Sequence, residues 1–348
     1  MSGIDTTGRK RVRLVDIARE VGVSRGAVGR VLLGSGSNIG VSEETASRIR
    51  EVAARLNYQP NQVAQQLTGK SSRLIGTIIS HAVSTSRADR LLSFEAVARR
   101  HGYRVVVAQS DLAQSDLDAY LEDFATRGVE AIVYLDTSEA AVGRLSHLPN
   151  LVSCVRLPGH DICYVQMDRA AASRLAVDHL VQRGRQRIGF AEAQRVTGRL
   201  VVEEDKRTGY LAAMAAHGLT DGAERIALIG EDEHGPDQDR RADEVIDELV
   251  VKKGCDAILF TRDWWAALGI KALKRRGYRV PQDVAVVGFD NREFASLLDP
   301  ELTAIDHRHL ICAEAMMNLV IRLVEEGSIP PSQRGVMIAP TLVVRQSS

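Results

Sequence analysis

Residues 14–32 read LVDIAREVGVSRGAVGRVL, and this stretch decides what the N-terminal part of the chain can be. Its apolar residues Leu14, Ile17, Ala18 and Val21 recur at i, i+3, i+4 and i+7, the spacing that lays one face of a helix against a core. Gly22 breaks the pattern. Ser24 offers a cap oxygen to a second helix over 25–33, in which Ala27, Val28, Val31 and Leu32 form another apolar face. Two short helices joined through Gly-Val-Ser make a helix-turn-helix. A third helix follows: Ser42 and Thr45 offer cap oxygens, Glu43 and Glu44 suit the positive helix end, and Ile49, Val52, Ala53 and Leu56 share a side. Asn57-Tyr58-Gln59-Pro60 ends it.

Working outward, this head is basic. Residues 1–70 hold 11 Lys/Arg against 6 Asp/Glu and the rest of the chain 34 against 39, so the formal net charge of zero conceals an asymmetry. A small basic module on a larger acidic body suits nucleic-acid binding, because phosphate neutralisation needs cations. The 348 residues are enough for two or three domains at about 100–200 residues each. No run reaches the roughly 18–20 apolar residues of a membrane span, and the polar, basic start has no apolar stretch behind it, so neither spanning nor export is expected. Cys154, Cys163, Cys255 and Cys312 are too scattered for a CxxC pair or a disulfide framework, which suits a reducing cytoplasm.

Beyond residue 71 short apolar runs alternate with amphipathic stretches. Strands are expected at 74–79, 105–107, 131–135 and 151–155, then in a second series at 188–190, 226–229, 257–260 and 284–289, with helices such as 237–253 and 263–276 between them. Strand–helix alternation implies parallel sheets, and two series imply two doubly wound subdomains. Such sheets bind ligands beyond the carboxyl ends of their strands, so two facing lobes make a cleft.

The run quoted above, followed at 41–72 by VSEETASRIREVAARLNYQPNQVAQQLTGKSS, resembles the lactose-repressor (LacI/GalR) family of bacterial transcriptional regulators, and the resemblance extends from Val12 to Gln346. It implies an all-α helix-turn-helix head (1–58), a hinge helix and linker (59–71) and an α/β periplasmic-binding-protein-like body (72–348). Within the body it implies an N-subdomain of about 72–168 and 303–330 and a C-subdomain of about 169–302 and 331–348, with 302–306 and 335–344 crossing between them. On DNA it implies contacts from Leu14, Ser24, Arg25, Gly26, Ala27 and Arg30 of the head. An Arg fork can donate twice to guanine O6 and N7; Arg25 is the expected base reader, while Arg30 reads a base or holds phosphate. Asn61, Ala64, Gln65 and Leu67 match the family's hinge helix, with Leu67 as a minor-groove wedge; an ordinary linker is the other reading. Two departures stand out: Gly29 where the family usually has Ser, and a lengthened turn, 34–40, before the third helix.

For the body the resemblance implies an effector site at strand ends. Arg207 would donate to ligand oxygens and Asp290 accept from hydroxyls, a pair suited to a polyhydroxylated ligand. Arg262 adds a charge beside Asp263, Trp264 offers a stacking face, and Asp136, Arg156 and Phe289 complete the set. The ligand expected is a sugar, polyol or nucleoside, with or without a phosphate. Double-stranded operator DNA of pseudo-palindromic sequence and a homodimeric assembly follow from the family; no heptad repeat accompanies 341–346, so a dimer is expected rather than a coiled-coil tetramer. No cofactor, metal or catalytic residue is expected. HExxH and GxSxG are absent, Gly34, Gly36 and Gly40 follow no strand, Gly69-Lys70-Ser71 lacks its upstream glycine, and His307 and His309 lack a third ligand. The alternatives are a DNA-binding regulator without small-molecule response and, more distantly, a cytoplasmic α/β enzyme.

Overall fold

The computed structural model describes residues 12–33, 40–58, 71–80, 85–110, 114–136, 144–156, 159–194, 201–230 and 235–348. The expected hinge residues Asn61, Ala64, Gln65 and Leu67, and 34–39 of the lengthened turn, lie outside them. The chain separates into a head ending at Ser72 and a body beginning at Arg73.

In the head, α1 (Leu14–Val21), α2 (Arg25–Leu33) and α3 (Glu43–Arg55) stand where the periodicity puts them. The Asp16 carboxylate accepts from the Arg13 amide at 2.8 Å, and Gly22 ends α1 at φ 79°, a left-handed position that a Cβ would strain. Ser24 Oγ accepts from Ala27 N at 3.2 Å, and Ser42 Oγ accepts from Thr45 N at 3.3 Å. The three apolar faces meet in one small core of Ile17, Ala18, Val21, Val28, Ile49, Val52 and Ala53.

The body opens with β1 (Leu74–Ser80), α4 (Thr85–Arg100), β2 (Arg104–Ser110), α5 (Gln114–Arg127), β3 (Ala131–Tyr134), β4 (Leu151–Ser153) and β5 (Cys163–Met167). It continues through α6 (Arg169–Gln182), β6 (Ile188–Gln194), α7 (Val201–Ala216), β7 (Ile226–Gly230), α8 (Gln238–Ile246) with a π-helical extension, β8 (Ala257–Phe260), α9 (Asp263–Arg275), β9 (Ala285–Asp290) and β10 (Thr303–Asp306). Then α10 (His309–Glu326), β11 (Gly335–Ile338) and β12 (Thr341–Val343) finish it. Among the described residues the strands form two six-stranded sheets, β11-β5-β4-β3-β1-β2 and β12-β10-β9-β8-β6-β7, in which only β12 runs antiparallel to its neighbour. These are the two doubly wound lobes that the strand–helix alternation implies.

The lobe boundaries differ from expectation at the C-terminal segments. β10 pairs with β9 in the second sheet, whereas the resemblance implies the first lobe for 303–330; β11 pairs with β5 in the first sheet, whereas it implies the second lobe for 331–348. An apolar strand carries no mark of which sheet edge it will join; that is settled by its hydrogen-bonding partner. β5 itself, whose apolar run is broken by Gln166, was not anticipated. The chain therefore passes between lobes at 167–169, 306–309 and 338–341, and Asp168 N donates to Ile338 O across two of these passages at 3.0 Å. The helix α10 returns to the first lobe, burying Cys312, Ala313, Met316 and Val320 in a core with Phe94 and Val97.

Candidate functional sites

On the head, Arg25, Gly26 and Arg30 are exposed along α2, as base-edge or phosphate contacts must be. Ser24 is exposed at the start of the helix and Leu14 is half-buried against the head core. Ala27 departs from its expected role: only 9% exposed, it faces the interior beside Val28. Its position in the apolar stripe of α2 accounts for this, since the side that packs cannot also enter a groove.

The polar centre of the body lies where β9 ends. Asp290 holds an unusual backbone, φ 138°, and its Oδ1 lies 2.8 Å from His307 Nε2; both side chains are about nine-tenths buried. Beside them Lys206, 4% exposed, donates to Glu203 Oε1 at 3.0 Å and to Thr261 O at 2.9 Å, with Nζ 4.4 Å from the centre of the Phe289 ring. Burial pushes the Asp290 carboxyl upward, while Lys206 and Arg262 nearby pull it down. Burial also pushes the Lys206 ammonium down, against the pull of Glu203 and Asp290. Buried Lys206, Glu203 and Asp290 thus share one desolvated spot with half-buried Arg262 close by, a donor and acceptor set able to hold hydroxyls.

Arg207 does not join them. Its Nε and Nη2 each donate to Glu192 at 2.7 Å in a bidentate fork, and its side chain is 42% exposed. Periodicity marks the difference: Glu203, Lys206 and Tyr210, at i, i+3 and i+7, are on the buried face of α7, and Arg207 is one position round. The residue that faces Asp290 is Lys206, and helical phase is the signal that finds it.

The other expected residues divide. Asp263 is wholly buried; its Oδ2 accepts from Arg292 N at 2.8 Å, and it packs so tightly on Gly288 that a Cβ there would strike it, so it anchors the loop after β9 rather than facing a ligand. Its carboxyl is pushed up by burial and by Asp290. Phe289 is core, 0% exposed. Trp264 spends its indole N–H on Gln238 Oε1 at 2.9 Å and meets Phe294 edge-on. Asp136, at the end of β3, is wholly buried against Arg87, with Nε to Oδ2 at 3.1 Å. Arg156 lies elsewhere, on a polar groove with His160, Asp161, Tyr164 and Arg334. Arg262 precedes α9, close enough to Asp290 and Lys206 to affect both.

Sequence reasoning missed a second cluster beside the passages between lobes. Arg90 of α4, Cys154, Gln166 and Met167 of the first lobe, Arg169 at the start of α6, and His307 and His309 line one small cavity. The two imidazoles stack, 5.3 Å apart and 8° from parallel. Burial and the surrounding cations hold His307 well below the usual histidine range, and burial with His307 and Arg90 holds His309 down at about 3, so both are neutral. No group of three or more metal-ligating side chains occurs among the described residues.

A helix-turn-helix head on a two-lobed, doubly wound body with a polar centre between its strand ends defines a DNA-binding regulator built on a ligand-binding frame. Residues 13–61 match the model of bacterial regulatory proteins, lacI family, and residues 177–348 that of the periplasmic binding protein-like domain. The chain thus carries a lacI-family helix-turn-helix head and a periplasmic-binding-protein-like body, and it is a DNA-binding transcriptional regulator whose relatives are regulators, not enzymes. It is 26% identical to catabolite control protein A of Priestia megaterium, covering 92% of this chain and 95% of the relative. It is likewise 26% identical to the ribose operon repressor of Halalkalibacterium halodurans, covering 96% of each. Its fold is similar to that of the lac repressor dimer bound to operator and an anti-inducer, with a TM-score of 0.82 at 21% identity over 97% of this chain and 99% of that one. No helix among the described residues is long and apolar enough to cross a membrane.

Proposed function

We propose that this chain acts as a repressor whose operator affinity is set by a small polyhydroxylated effector, a sugar, polyol or nucleoside, with or without a phosphate, bound between the lobes. Two heads on a homodimer engage a pseudo-palindromic operator, and the protein works in the cytoplasm, on the nucleoid when DNA-bound. The observation that carries the effector reading is the buried group of Lys206, Asp290 and His307 at the strand ends next to the passages between lobes. A ligand there touches both lobes, and it changes DNA affinity only by its differential affinity for their arrangements. Relatives and neighbours fit this picture: one relative is a ribose operon repressor, and one similar structure is a regulator complexed with cellobiose.

The test is a thermal-shift screen of sugars, polyols, nucleosides and their phosphates on the full chain, since a ligand selective for the folded state raises its apparent stability. Operator titration with and without each hit follows. Asp290→Asn is expected to abolish the response while leaving ligand-free operator binding nearly intact; an unchanged response rejects the cleft. The small size of the cavity beside His307 favours a second reading, a regulator without effector response. That reading holds if no hit alters operator affinity.

A further inference from the structure

We propose that the cavity beside the lobe passages is the seat of an oxyanion, the carboxylate or phosphate at one end of the effector, held between the guanidinium groups of Arg169 and Arg90. The inference rests on the effector reading above and specifies that ligand's chemistry.

Arg169 is 5% exposed, and its Nη1 has no hydrogen-bond partner. Arg90 spends Nη1 on Leu135 O at 2.7 Å and on Cys154 Sγ at 3.2 Å. Among the described residues neither guanidinium has a carboxylate within ion-pair distance; the nearby Asp136 is paired with Arg87. The thiols on the cavity do not supply the missing charge, because burial keeps both protonated, Cys312 up to about 11. The imidazoles are neutral and so add no charge of their own. Arg169 is withdrawn from water, disfavoured by burial and by Arg90 and only partly offset by Asp205 and Glu203, and it has a donor left unmade, a costly arrangement that an oxyanion relieves. Guanidinium forks match carboxylate and phosphate oxygens bidentately, and the neutral imidazoles can donate as well.

Size and position complete the argument. The cavity holds about 20 Å³, space for about one water-sized group, so an oxygen of a ligand's acidic tip enters it and the ligand's body does not. His307 lines it and also stands 2.8 Å from Asp290, so the acidic tip at Arg169 and a hydroxyl at Asp290 lie on either side of one imidazole. Arg90 comes from the first lobe and Arg169 from the second, so occupancy is sensitive to how the lobes are set.

The experiment compares full-length wild type with Arg169→Gln, Arg169→Lys and Arg90→Gln at matched ionic strength. The probes are inorganic phosphate, acetate, and two series: ribose, ribonate and ribose 5-phosphate; glucose, gluconate and glucose 6-phosphate. Inorganic phosphate or acetate should raise the wild-type melting temperature and lose that effect in both Gln variants. The acidic member of a responding series should bind about tenfold or more tighter than its neutral parent, and Arg169→Gln should remove that margin while Arg169→Lys restores part. Preference for ribonate and gluconate, or for the phosphates, identifies the source of the anion. Equal affinity for neutral and acidic members, or unchanged anion effects in Arg169→Gln, overturns the seat and leaves the effector cleft standing. Anion protection confined to wild type without any change in operator affinity overturns the effector reading, and with it the assignment of the anion to an effector.

Discussion

Lys206 and Arg207 are neighbours in sequence with opposite surroundings, and their variants should part accordingly. Lys206→Ala leaves Glu203 buried without its cation, an arrangement expected to cost about 3–5 kcal/mol. Arg207→Ala strips the fork from Glu192, whose side chain is 5% exposed, but opens that carboxylate to water through the space left by a 42%-exposed side chain, and should cost about 1–3 kcal/mol, with effector binding retained. Urea denaturation of the two variants checks the ranking; equal losses would mean that Lys206 is not a buried partner. His309 gives a pH signature. Its folded pKa, about 3, lies below the ordinary histidine value, so the unfolded chain binds the proton more readily and the residue's destabilising effect grows as pH falls below about 6.5. Wild type should therefore lose about 1–2 kcal/mol relative to His309→Gln between pH 6.5 and 5, read from denaturation curves at both values. Curves that stay parallel would show that His309 charges freely. On the head, Arg25→Ala should relax preference at one base pair per half-site, whereas uniform weakening across operator variants would restrict Arg25 to phosphate.

The elements with the clearest local signals are the three head helices, because caps and a 3.6-residue stripe act within a turn or two of chain. Within α2, Gly29 is a departure that packing does not require: a Cβ there meets nothing within 4 Å. Gly29→Ala should stabilise the helix by about 0.5–1 kcal/mol, measured as slower hydrogen exchange of α2 amides. Gly209 in α7 is the opposite case, since a Cβ would run into the backbone of Ala170 in α6. Gly209→Ala should force the two helices apart and cost at least about 1–3 kcal/mol, seen as a lowered denaturation midpoint. Sequence alone does not separate these two glycines, as both sit inside helical patterns; only the neighbouring helix distinguishes them.

Across the whole molecule, the lobes of the body share a polar contact: Arg292 Nη2, after β9, lies 3.6 Å from Asp89 Oδ2 on α4. Asp89 is partly exposed, so the contact is weak by itself. Asp89→Asn should change effector affinity no more than about fivefold, the reach of roughly 1 kcal/mol. Titration of wild type and variant with one effector measures it, and a larger change would make the contact a principal determinant of lobe setting. Assembly follows from symmetry: two heads on two half-sites require a two-fold partner, and the body is large enough to supply the interface. Sedimentation of the DNA-free protein at micromolar concentration should show a dimer; a stable monomer would reject that.

The head helices and the two-lobed body are readable from local order, because helix caps, strand-length apolar runs and turns are written in adjacent residues. Other features depended on contacts between residues far apart in the chain. Sheet-edge hydrogen bonds put β10 in one lobe and β11 in the other. Helical phase against a neighbouring sheet turned Lys206 inward and left Arg207 with Glu192. Arg90 and Arg169, 79 positions apart in the numbering, became lining residues of one cavity only when the chain had crossed between lobes. A side chain's partners are set by what folding brings beside it, and a single sequence without pairing information does not specify those distant neighbours.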